Sequence, residues 1–119
     1  MRPRDVRVYL QDIVTAAAAI RTFIAGRALD DYQGDLMLRS AVERQLEILG
    51  EALARALRLD AGLQSRLPAS RGAIDFRNVI AHEEDALSAA TVWDIARNEL
   101  PGLAAEVAAE LGRLDSERR

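Results

Sequence analysis

A chain of 119 residues, half of them apolar, has enough material to enclose one hydrophobic core. It contains no cysteine, which excludes disulfides, thiolate metal sites and cysteine nucleophiles and fits a reducing compartment. Its 16 basic residues are all arginine and face 19 carboxylates, so the net charge of −3 gives no global attraction to nucleic acid and any RNA contact has to be a local patch.

Arginine favours bidentate phosphate or carboxylate contacts, although a GC-rich coding sequence gives the same excess over lysine. Aromatic residues are few: Tyr9, Phe23, Tyr32, Phe76 and Trp93. With so much Ala, Leu, Ile and Val, the expected fold class is all-α, an antiparallel bundle of four to five helices in a single domain over residues 1–119. No apolar run is long enough for a membrane span, and the first residues do not lead into a signal-peptide core, so a cytoplasmic location is expected.

Along the chain, Val6, Leu10, Ile13, Ala17, Ile20 and Ile24 repeat at three- and four-residue intervals, which predicts a first helix over 3–25 with Gly26 as a left-handed stop. Residues 27–34 read as a connection supplying a capping acid. A second helix is predicted over 35–57, with Leu38, Val42, Leu46, Leu49, Leu53 and Ala56 on its buried stripe, of a length that lets it pair with the first as an antiparallel hairpin. Gly50 interrupts it at about 1 kcal/mol relative to alanine, so a close crossing or a subunit contact must need the missing side chain. Residues 59–70 lack periodicity and read as a loop or broken turn. Ser70 is placed to cap a third helix over 71–82, and Ser88 a fourth that carries Val92, Trp93, Ile95 and Ala96. Pro101 then either opens a first turn or kinks the helix before Leu103, Val107, Leu111 and Leu114 resume the stripe.

The chain's only histidine, His82, follows Arg77 by five residues and Asn78 by four. On a helix Asn78 and His82 share a face, and Arg77, about 140° round, reaches back with its long side chain to grip a phosphate from a second side. A histidine near a helix end is also a common cap, and in a chain with so many arginines the Arg–His spacing alone carries little weight. The helix dipole and the acids Glu83, Glu84 and Asp85 favour the charged imidazole.

Three blocks in order carry more: Leu46-Glu-Ile-Leu-Gly-Glu-Ala52, Arg77-Asn-Val-Ile-Ala-His82, and Val92-Trp-Asp-Ile-Ala-Arg-Asn-Glu-Leu-Pro101. Together they resemble the HepT-like branch of the HEPN superfamily across nearly the whole chain. The resemblance implies a helical bundle that forms a homodimer with two motifs facing one cleft. It also implies a ribonuclease toxin that works without metal or cofactor, and a partner, a minimal nucleotidyltransferase antitoxin that transfers AMP from ATP to a tyrosine of the toxin. Carried over to this chain, the catalytic residues are Arg77, Asn78 and His82. The family pattern continues His-x-Tyr, whereas position 84 is Glu84, so that acceptor tyrosine is missing; Tyr9 and Tyr32 lie far from the motif in sequence. A second reading follows from this departure: a weak or inactive binding subunit for a nucleotidyltransferase, with Glu83, Glu84 and Asp85 turning RNA away. A third leaves a plain helical interaction protein with an incidental Arg–His pair.

Overall fold

A computed structural model of the chain describes residues 5–72 and 86–117, and it is all-α, with no strand among the described residues. Helix α1, Val6–Ile24, starts where Asp5 accepts the Arg7 backbone N–H at 2.9 Å and ends before Gly26, whose φ of +73° is the left-handed stop expected there. Its stripe is buried as the periodicity requires: Leu10, Ile13, Ala17 and Ile20 are inside, and Val6 and Ile24 pack half-buried at the ends. Helix α3, Leu36–Leu59, is capped by Asp35 through the Leu38 N–H at 3.0 Å, and all six of its predicted stripe residues are buried. Tyr9 near the start of α1 and Arg55 near the end of α3 line the same groove, while Arg27 and Asp35 approach at the opposite end, so the two helices form the expected antiparallel hairpin. Gly50 is buried within this single chain.

The connection at 27–34 holds a short helix α2, Leu29–Gln33, in which Asp31 accepts the Ala28 N–H at 2.8 Å. Its purpose is Tyr32, fully buried with its ring 5.4 Å from that of Trp93. Residues 59–70, expected as a loop, include a helical turn α4, Leu63–Arg66, because Leu63 and Leu67 are both fully buried and fold the backbone over the core.

The last helical stretch is continuous: α5, Ala86–Asp94, passes through a π turn, Ile95–Glu99, into α6, Leu100–Glu117. Pro101 is the second residue of α6 and so stands in its first turn, one of the two expected placements, but the helix runs on into it from α5 through the π turn. Proline lacks the N–H that residue 97's carbonyl would accept in an α-helix, and its ring collides with that carbonyl. Widening the turn relieves both faults: the Leu100 N–H donates to the Ile95 carbonyl, five residues back. Leu103 and Val107 then bury against α1, and the field of Asp115 acts on Arg7, so α6 runs antiparallel to α1. No described helix is long and apolar enough to cross a membrane.

Candidate active site

Arg77, Asn78 and His82 lie outside the described residues, as do Glu83, Glu84 and Asp85. What the structure gives is the scaffold that delivers the two ends of that segment. From Arg66 to Ala69 the chain runs antiparallel along α6, tied at two levels. The Arg66 guanidinium bonds Glu110 at 3.0 Å and Asp60 at 2.6 Å. One turn of α6 earlier, the Ala69 N–H donates to Glu106 Oε1 at 3.0 Å. A Cβ added at Gly72 would stand 3.9 Å from Glu99 Oε1, at the π turn.

The chain is helical again from 70, one residue before the predicted start, and the N–H that precedes it is accepted by Glu106 from another helix. Ser70 does not cap: its own N–H donates to the Leu67 carbonyl, and its buried hydroxyl has no hydrogen-bond partner among the described residues. Glu110 is 5% exposed and accepts from Arg66 and from Arg113 Nε and a terminal guanidinium nitrogen at 2.9 and 2.8 Å. Hydrogen bonds from Arg113, then from Arg66, hold its carboxyl below the ordinary range despite burial. Sequence periodicity, which follows apolar residues, passed over Glu106 and Glu110; the available signal was two acids four apart beside an apolar stripe.

On the return side, α5 carries Trp93 against Tyr32, with the Arg97 guanidinium over the indole at 5.9 Å and Asn98 donating to Asp94 at 2.7 Å. Between α1 and α3 an open groove of about 380 Å³ has Ile48 and Ala52 among its lining, with Tyr9, Asp12 and the pairs Arg44–Glu47 and Glu51–Arg55 around them. It adjoins the Leu46–Ala52 block, and both its guanidiniums already face carboxylates, so it offers no ready anion site.

The family description Ribonuclease HepT-like matches residues 13–110, from the middle of α1 to Glu110. The chain belongs to the HepT-like ribonuclease family. This match takes in all three sequence blocks and both ends of the segment that carries Arg77 and His82. Three proteins of Methanocaldococcus jannaschii are similar over most of the chain. One, named "Putative RNase", is 28% identical over 90% of this chain and 97% of its own length. A second of the same name is 28% identical over 85% of this chain and 83% of itself. A third, named "Gamma-glutamylcyclotransferase and putative RNase", is 23% identical over 97% of this chain, which spans 51% of that longer protein. No solved structure matches the chain.

Proposed function

We propose that the chain is a metal-independent endoribonuclease, a single HepT-like domain that acts as a homodimer and is the toxin of a cytoplasmic toxin–antitoxin pair. The observation that carries this is the family match over residues 13–110, a span that contains Arg77, Asn78 and His82. In the reaction the RNA 2′-oxygen attacks the adjacent phosphorus, the bond from phosphorus to the 5′-oxygen breaks, and a 2′,3′-cyclic phosphate and a 5′-hydroxyl result. His82 of one copy takes the 2′-hydroxyl proton and His82 of the second copy protonates the leaving oxygen. Arg77 stabilises the charge on the non-bridging oxygens through two parallel hydrogen bonds, and Asn78 orients the imidazole.

The test is incubation of the pure protein with labelled RNA in EDTA. Cleavage is expected from the wild type and is expected to vanish in His82→Ala and Arg77→Ala, with helicity unchanged; cleavage that survives both substitutions removes these residues from the mechanism. Glu84, where the family pattern has tyrosine, supports a second reading, a HEPN subunit that binds a nucleotidyltransferase without cutting RNA. That reading requires no cleavage by the wild type under the same conditions.

A further inference from the structure

The helix that begins at 70 lacks the local groups that ordinarily fix such a start. Its N-cap position is Ala69, with no side-chain oxygen to accept an N–H of the first turn, and its third position is Gly72, with no carboxylate to reach back to the N-cap N–H. Arg71 puts a cation in the first turn, where the helix dipole disfavours it. Ser70 stands one position past the cap and is fully buried, its hydroxyl without a hydrogen-bond partner among the described residues. The acceptor comes instead from α6. Glu106 Oε1 takes the Ala69 N–H at 3.0 Å, the bond that an acid at the third position of a capping box would make, and brings a carboxylate to the helix end that favours an anion.

The strap itself has other anchors. Leu63 and Leu67 are fully buried, and Arg66 bonds Glu110 one turn further along α6. Glu106 therefore adds something separate: it selects where helical geometry begins, and with it the direction in which each following side chain leaves the axis, which turns by about 100° per residue. The helix that the sequence predicts over 71–82 starts from this point and includes Arg77, eight residues along the chain from Ala69, and His82.

We propose that Glu106 is a positioning residue for the ribonuclease site: by accepting the Ala69 N–H it sets the start of the helix predicted to carry Arg77 and His82, and so the direction from which those two side chains meet RNA. The proposal rests on the ribonuclease reading for its reaction, and on the bond between Glu106 and Ala69 for its geometry. An amide oxygen accepts the same hydrogen bond as a carboxylate, so glutamine can stand in for Glu106 and alanine cannot.

The chain has one histidine, so its imidazole Cε1–H gives a single NMR signal that reports on His82 without RNA. The experiment records that signal on the full chain at fixed pH, together with kcat and KM for labelled RNA in EDTA, in the wild type, Glu106→Ala, Glu106→Gln and Gly26→Ala. Glu106→Ala is expected to displace the signal and to lower kcat about tenfold, with KM changed by less than about twofold. Glu106→Gln is expected to keep the signal and to hold kcat within about twofold of the wild type. Gly26→Ala strains the stop of α1 and lowers stability without touching the strap, so it is expected to change neither. A wild-type signal and kcat in Glu106→Ala overturn the proposal. An equal loss in Gly26→Ala also overturns it, as a general effect of lowered stability, and so does an equal loss in Glu106→Gln, which would remove the hydrogen bond from the cause. If the wild type never cleaves RNA, the nuclease reading fails, and a His82 signal displaced in Glu106→Ala alone still upholds the positioning. If the wild type cleaves and Glu106→Ala matches it, the positioning fails and the nuclease reading stands.

Discussion

Glu110 takes a buried position on α6 beside Val107, where the periodicity had placed Leu111. A lone carboxylate there would be costly, and two guanidiniums that remain partly in water make it tolerable: Arg66 is 35% and Arg113 40% exposed. Because its folded carboxyl titrates below the unfolded range, the stabilisation is fully present above about pH 5 and is lost as pH falls through the folded value. Glu110→Gln is therefore expected to cost about 1–3 kcal/mol at neutral pH and to flatten the fall of Tm with acid; a parallel pH dependence in variant and wild type would contradict this. Gly26 carries the other residue-scale constraint. With φ of +73° and open space around it, Gly26→Ala has no clash to relieve, only the backbone strain, expected at about 1 kcal/mol by denaturant titration.

Elements here are held by groups borrowed from other elements. The helix beginning at 70 takes its N-terminal acceptor from Glu106 on α6. Glu106→Ala is expected to destabilise by about 1 kcal/mol, whereas Glu106→Gln, which keeps an acceptor oxygen, is expected to lose less than half of that; equal losses would mean that charge, not the hydrogen bond, matters. The π turn poses the opposite case, a helix that widens to keep a proline. Pro101→Ala restores a donor and removes the clash, so it is expected to be neutral or to stabilise by up to about 1 kcal/mol. A clear loss would assign the wide turn to the Trp93–Arg97 contact instead.

For the whole molecule, the proposed dimer makes a thermodynamic demand that needs no substrate. If two copies share a cleft, Tm must rise with protein concentration, and sedimentation must show mass growing over the same range. A Tm independent of concentration with a monomer mass removes the second imidazole from the mechanism. The core itself is intramolecular: α3 and α6 bury their stripes against α1, and Tyr32 stacks near Trp93. Dimer formation would therefore act on the site's chemistry more than on the existence of the fold.

The all-α class, the α1–α3 hairpin, the Gly26 stop and the buried stripes were legible from the spacing of Leu10, Ile13, Val42, Leu46, Leu53 and their neighbours, because apolar residues at helical intervals have one way to leave water together. The family was read from the resemblance that three short blocks carry, and the match over residues 13–110 agrees with it. Only tertiary structure decided that 59–70 folds over the core and that Glu106 and Glu110 hold the strap leading to the motif. Those outcomes depend on partners up to 44 residues away, such as Arg66 with Glu110, and a polar side chain's worth is set by what it meets across the fold, which periodicity along the chain does not encode.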